Sequence, residues 1–155
     1  MSTNSTPCES GGFQIRPYHP ADLEQVMALW LAGNLDAHSF IDPAYWEGSY
    51  PQVREQIPQA QVWVAAEGNR LLGFLGLTGD YIAGIFVSRE VRSRGVGRAL
   101  LAEGKRQAPQ LSLHVYRRNA RALTFYLREG FTVQTTQTDP ETGEEELLLL
   151  WKKAA

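Results

Sequence analysis

The spacing of apolar positions predicts short strands and amphipathic helices in the first half of the chain. Residues 13–18 (FQIRPY) read as a strand, and Pro20 opens a helix whose apolar residues recur three to four positions apart. A second helical stretch covers about 43–57 and ends before Pro58. The segments QVWVAAE and RLLGFLGLTG then read as two strands joined at a turn over 67–69.

Strands and helices alternate in the second half. YIAGIFVS reads as a strand, a helix then runs to about Gln107, and LSLHVY is the next strand. Asn119 caps a further helix that Gly130 ends, and the strands FTVQTTQ and EEELLLLW flank the turn DPETG. The order β-α-α-β-β-β-α-β-α-β-β predicts a mixed sheet in the α/β or α+β class.

The chain's length and composition predict one globular domain. It has 155 residues, of which 43% are hydrophobic and 21% are charged. We expect a disordered tail over 1–12, which holds the single cysteine, Cys8, and one domain over 13–155. The N-terminus shows no signal peptide and no apolar run is long enough to cross a bilayer, so we expect a cytoplasmic protein with no membrane partner.

Charge is distributed unevenly along the chain. Residues 89–128 contain ten Lys/Arg and two Glu, a net charge of +8, although the whole chain has a net charge of −2. Residues 9–80 contain nine acidic and three basic residues. This asymmetry favours one face that attracts an anion and surroundings that tolerate a cationic partner, although solvated helix faces of different charge would give the same pattern.

A glycine-rich stretch, VRSRGVGRAL, lies between a strand and a helix, the arrangement that binds phosphate at a helix N-terminus. The Walker pattern G-x-x-x-x-G-K-S/T is not present in the chain. The dinucleotide pattern G-x-G-x-x-G fails because Leu100 stands where the third glycine belongs.

A third phosphate-binding pattern fits, and a second motif downstream supports it. Residues 92–97 (RSRGVG) match Q/R-x-x-G-x-G/A, and LHVYRRNARALTFYLREGF matches V-x(3)-N-x(2)-A-x(3)-Y-x(3)-G-F. The second match is in register at Val115, Asn119, Ala122, Tyr126, Gly130 and Phe131. Over about 13–151 the chain resembles the GNAT N-acetyltransferase superfamily. That resemblance implies a central, mostly antiparallel sheet of about seven strands flanked by about four helices.

The resemblance also implies acetyl-coenzyme A as the acyl donor. In that family the loop binds the pyrophosphate through backbone N–H groups, which here belong to Arg94, Gly95, Val96, Gly97 and Arg98. The side chains of Arg92, Arg94 and Arg98 would neutralise the phosphates, unless each is an ordinary solvated charge at a helix end. Ser93 could donate to a phosphate or cap the helix, and we favour the cap.

The strand before the loop and the later helix that Asn119 caps carry the other donor-side residues that the resemblance implies. Backbone atoms of Ile85 and Val87 would pair with the pantetheine arm, and Asn119 would contact that arm as well as cap its helix. Tyr126 would bind at the thioester and act as general acid toward the coenzyme A thiolate. The alternative for Tyr126 is ordinary packing of an aromatic ring against the sheet.

The residues do not decide the general base. Many family members place a glutamate on the fourth strand, but residues 81–88 contain no acidic residue. Asp80, His38, His114 and a relayed water are all open candidates.

The acceptor side is predicted at 38–50, where a primary amine on a protein lysine, a protein N-terminus or a small molecule could contact His38, Phe40, Tyr45, Trp46 and Tyr50. Aromatic residues on short helices also commonly form core. We expect direct attack without a covalent enzyme intermediate, no metal, no nucleic acid, and a monomer or homodimer. A non-catalytic module that binds acyl-coenzyme A is the alternative function, and nucleic-acid binding by the arginine-rich half is a weaker one.

Overall fold

A computed structural model describes residues 12–154, so the predicted tail with Cys8 lies almost entirely outside the described residues. The predicted order of elements is confirmed over these described residues, which contain seven strands and four α-helices. The strands are β1 (Gln14–Pro17), β2 (Gln61–Glu67), β3 (Arg70–Thr78), β4 (Tyr81–Val87), β5 (Gln110–Tyr116), β6 (Thr132–Thr138) and β7 (Glu145–Lys152). The helices are α1 (Leu23–Ala37), α2 (Pro43–Gln56), α3 (Val96–Gln107) and α4 (Ala120–Arg128).

The strands form one sheet in the order β1-β2-β3-β4-β5-β7-β6. Every neighbouring pair is antiparallel except β4 and β5, which run parallel. β3 is buried along its length except at its two ends, as expected for a central strand covered on both faces.

Helices cover the sheet on both faces and create two hydrophobic cores. One core lies under α3 and α4 and includes Leu75, Leu100 and Leu149. The other lies under α1 and α2 and includes Met27 and Phe74. These two layers pack on the two faces of the sheet that contains β4 and β5, and this arrangement positions the site described below.

The two predicted ends of α4 are confirmed by their capping geometry. Asn119 Oδ1 accepts the N–H of Ala122 at 3.2 Å, and Gly130 adopts φ +99° just after α4. Among residues 12–154, no helix combines the length and hydrophobicity needed to span a bilayer.

Candidate active site

A cleft opens where β4 and β5 separate. Although they are neighbours in the sheet, their register contains one residue pair, Tyr81 with Ser112. On its other side β4 remains paired with β3 as far as Val87. The backbone of β4 from Ala83 onward therefore lines a cavity of about 730 Å³, into which α4 and the end of α1 also project.

A loop with two left-handed residues joins β4 to α3 at the edge of this cavity. Ser93 has φ +79° and Gly95 has φ +82°. The prediction that Ser93 caps α3 is wrong: the N-cap is Gly95, and no side chain makes a capping bond there. Since the first N–H groups of a helix lack intrahelical acceptors, those of the first turn of α3 are available to an anion.

The lack of a side chain at Gly97 affects the width of the cavity and is not required by the packing of the protein. A Cβ at this position would lie 3.6 Å from Val87 Cγ2 and 3.7 Å from Phe125 Cζ, which are ordinary contacts. Val87, Gly97 and Phe125 all line the cavity. The protein could therefore accommodate a methyl group at this position, and its absence leaves the cavity wider beside the loop.

Each of the three loop arginines that the sequence assigned to phosphate has a carboxylate partner. Arg92 pairs with Asp36 at the end of α1, and this bond holds the pKa of the Asp36 carboxyl below its usual value. Arg94 Nη2 lies 3.1 Å from Glu67 Oε2, and its side chain does not line the cavity. Arg98, whose side chain is 77% exposed, lies 3.7 Å from Glu129 and does line it.

Tyr126 lies in the wall of the cavity and is 7% exposed. Its ring packs edge to face against Phe125 and Phe131, with centroid distances of 5.1 and 5.3 Å. Burial raises the pKa of its hydroxyl. The hydroxyl is therefore protonated near neutral pH and can donate a hydrogen bond or a proton.

His38 also lines this cavity, within a group of aromatic rings. It stacks on Trp46 at 5.2 Å and meets Tyr116 edge to face at 5.2 Å. Burial lowers its pKa to about 4, so the ring is neutral at pH 7. Asn119 Nδ2 lies 3.2 Å from His38 Nε2. Because Asn119 Oδ1 accepts the capping bond, its Nδ2 donates, and the His38 proton lies on Nδ1.

The other two candidate bases differ in their access to the cavity. Asp80 does not line it and accepts a hydrogen bond from Gln110 at 3.2 Å. His114 lines it, is exposed, and has Nδ1 2.8 Å from the Tyr81 hydroxyl. Within residues 12–154, no three His, Cys, Asp or Glu side chains are grouped as metal ligands.

Of the five predicted acceptor residues, His38 and Trp46 line the cavity, whereas Phe40 and Tyr45 pack behind them. Tyr50 does not line it and packs edge to face against Trp30. The Tyr45 hydroxyl donates to Glu141 at 2.6 Å. Tyr116 makes a similar 2.6 Å bond to Asp139. The turn between β6 and β7 is thus tied to α2 and to the end of β5.

Several residues that line the cavity were not predicted to do so, among them Tyr116, Arg121, Phe125 and Arg128. Three of them share a helix face, since positions 121, 125 and 128 follow the i, i+4, i+7 spacing. The i, i+4, i+7 spacing of these residues, next to the motif residues Asn119, Ala122 and Tyr126, could have indicated that they face the site. Tyr116 offered no local signal, because its place depends on the separation of β4 and β5.

Comparison with known protein families finds one match over the centre of the chain. The Acetyltransferase (GNAT) domain matches residues 58–133, which include β4, the loop and α4.

Individual proteins match over most of the chain. Peptidyl-lysine N-acetyltransferase YiaC of Escherichia coli K12 is 33% identical over 88% of this chain and 95% of its own length. Peptidyl-lysine N-acetyltransferase YjaB of the same organism is 32% identical over 81% of this chain and 86% of its own length. The solution structure of its apo form superposes with a TM-score of 0.80, covering 92% of this chain and 99% of YjaB. A Bacillus anthracis str. Ames structure in complex with acetyl coenzyme A superposes with a TM-score of 0.57 at 23% identity, covering 61% of this chain and 63% of that one.

Proposed function

The chain belongs to the GNAT family and is an N-acetyltransferase, and from this premise we propose that it transfers the acetyl group of acetyl-coenzyme A to the ε-amine of a polypeptide lysine. The amine attacks the thioester directly, the C–N bond forms as the C–S bond breaks, and Tyr126 protonates the departing thiolate. The observation that carries the proposal is that one cavity joins the glycine loop, the separated edge of β4 and the Tyr126 side chain.

The donor end suits a ligand with phosphates at one end and amides along an arm. The glycine loop offers the free N–H groups of a helix N-terminus. Backbone of Ile85 and Val87 lies on the β4 edge beyond its pairing with β5, where a pantetheine arm can add as a strand would. The structural neighbour from Bacillus anthracis was solved with acetyl coenzyme A. A backbone N–H of this edge would also polarise the acetyl carbonyl.

Tyr126 suits the role of general acid because burial keeps its hydroxyl protonated. A thiolate that is released beside this poorly solvated cavity wall needs a proton donor within hydrogen-bonding distance. Asn119, the N-cap of α4, lies seven residues before Tyr126, which is about two helical turns. Both residues line the cavity, and we assign Asn119 to the pantetheine arm.

The acceptor end suits a lysine side chain. YiaC and YjaB are both named peptidyl-lysine N-acetyltransferases. The aromatic rings of His38, Trp46 and Tyr116 offer apolar contact to an alkyl stem. Asp139 and Glu141 lie behind the acceptor end and favour a cationic substrate.

We assign proton removal from the amine to His114. His38 is unsuited, since its Nε2 accepts from Asn119 and its pKa is lowered to about 4. Asp80 does not line the cavity, whereas the exposed His114 ring does. The Tyr81 hydroxyl orients that ring through its 2.8 Å bond to Nδ1.

The direct test is incubation of the protein with acetyl-coenzyme A and a peptide that contains one lysine and a blocked N-terminus. We expect the mass of one acetyl group on the peptide and an equal amount of free coenzyme A. The control peptide carries arginine in place of lysine and should stay unmodified. Release of coenzyme A without peptide acetylation would contradict the lysine assignment, and no release with any amine would contradict the donor assignment.

A further inference from the structure

We propose that two arginines of α4, Arg121 and Arg128, bind the phosphate groups of the coenzyme A ligand, while the arginines of the glycine loop serve mainly to hold that loop in place. This inference rests on the proposed use of acetyl-coenzyme A. The arginines around the cavity fall into two groups: those that already pair with a carboxylate of the described residues and those that do not.

The loop arginines are attached to three different parts of the fold. Arg92 bonds to Asp36 of α1, Arg94 to Glu67 at the end of β2, and Arg98 more loosely to Glu129 after α4. Moving Arg92 or Arg94 to a phosphate would break its ion pair: Glu67 would lose Arg94, and Asp36 would lose Arg92 and keep its 3.4 Å contact with Arg89. These pairs therefore hold the loop in place, with its backbone N–H groups facing the ligand. Because the arginine charges are already partly neutralised by carboxylates, they attract a phosphate less strongly.

Arg121 and Arg128 differ from the loop arginines in this respect. Both line the cavity, both are exposed, and neither makes a hydrogen bond or ion pair with any residue between 12 and 154. The charge of Arg121 still contributes to the lowered pKa of the Asp36 carboxyl, which places Arg121 near the Arg92–Asp36 pair. A phosphate can thus bind these two guanidinium groups without displacing a protein carboxylate.

The spacing of the two arginines suits a ligand with more than one anionic group. They are seven residues apart, about two helical turns or roughly 10 Å along α4, and they lie on the same side of the helix. Arg128 precedes Glu129, the partner of Arg98 in the first turn of α3. Coenzyme A carries a pyrophosphate and a separate 3′-phosphate, and guanidinium groups bind such oxygens through paired N–H donors.

The experiment is calorimetric titration of coenzyme A and 3′-dephospho-coenzyme A into the wild type, Arg121→Gln and Arg128→Gln. The matched control is Arg117→Gln, because Arg117 is also exposed but bonds to Glu145 and does not line the cavity. We expect the Kd for coenzyme A to rise about tenfold in each α4 variant and less than twofold in the control. Thermal unfolding should be unchanged in all three variants.

The second ligand identifies which phosphate each arginine binds. A residue that binds the 3′-phosphate will lose the preference for coenzyme A over its dephospho form, whereas a residue that binds the pyrophosphate will weaken both ligands equally. Wild-type affinity in both α4 variants would overturn the inference and leave the proposed function intact. Failure of the wild type to bind either ligand would overturn both.

Discussion

The two ends of the cavity are built in different ways. The proposed donor end comes mainly from two stretches of sequence, β4 with the glycine loop and β5 with α4, and the groups that we propose for the pyrophosphate and the pantetheine arm are largely backbone. The acceptor end brings together side chains from four distant segments, including His38, Trp46, Tyr116 and the turn between β6 and β7. It has no backbone motif of its own.

This contrast explains why one end is recognisable and the other is not. Backbone N–H groups at a helix N-terminus serve any pyrophosphate, so a short glycine pattern is enough to specify them. Aromatic side chains that pack around an amine substrate can be supplied by many sequences, provided that their rings meet in space. Four substitutions test whether the two ends act as separate parts.

The largest effect on turnover is expected at Tyr126, the proposed proton donor to the coenzyme A thiolate. Tyr126→Phe removes the proton donor and leaves the ring packing intact, so turnover should fall at least tenfold while the Kd for acetyl-coenzyme A stays within twofold. Steady-state rates and calorimetry measure the two quantities. Tyr50→Phe, outside the cavity, is the control. Unchanged turnover would remove Tyr126 from the mechanism.

Gly97→Ala separates ligand binding from folding at the donor end. The added Cβ makes ordinary contacts with Val87 and Phe125, so stability should rise by about 0.5 to 1 kcal/mol, as for alanine over glycine in a helix. The same methyl group lies beside the loop, and the Kd for acetyl-coenzyme A should rise about tenfold. Denaturant unfolding and calorimetry provide the readouts.

Gly48→Ala is the matched control, because Gly48 lies in α2 with no atom within 4 Å of an added Cβ. It should stabilise the protein without altering affinity. A Gly97→Ala protein that binds as tightly as the wild type would show that this position does not face the ligand.

His114→Gln tests the acceptor end alone. We expect kcat/KM for the lysine peptide to fall about fivefold, with no change in the Kd for acetyl-coenzyme A, because the base acts on the amine. His19→Gln is the control, since His19 does not line the cavity. An equal loss in both variants, or none in His114→Gln, would exclude His114 as the base.

The smallest expected effect is on the pH dependence of the free energy of unfolding, through His38 at the acceptor end. The pKa of His38 is lowered to about 4 in the folded state, against about 6.5 for an unperturbed histidine. The unfolded chain therefore binds more protons between these values, so stability is fully present above pH 6.5 and declines as the pH falls toward 4.

The contribution of His38 to this decline should be about 1 kcal/mol, allowing for the partial solvent exposure of its ring. His38→Gln keeps an acceptor for Asn119 but cannot titrate. Urea unfolding at pH 6.5 and pH 4.5 should show a smaller loss of stability in this variant. Equal losses would indicate that His38 is already accessible to protons in the folded state.

The order of strands and helices, the glycine loop, the Asn119 cap and the Gly130 stop were all predictable from the sequence. Each depends on residues a few positions apart, through helical or strand periodicity, capping, or the freedom of glycine at positive φ. The cap predicted at Ser93 is wrong because the backbone is left-handed at both Ser93 and Gly95, so that α3 begins at Val96 with Gly95 as its N-cap.

The sequence by itself thus determined the sheet and helix order and the position of the donor loop, because local sterics and hydrogen bonding specify them. Only the tertiary structure decided which arginines meet a carboxylate, that His38 is held neutral, and that Tyr116 joins the cavity wall. Charge pairing and desolvation depend on distances through space. Asp36 and Arg92, or His38 and Tyr116, are dozens of residues apart in the chain, and folding alone brings them together.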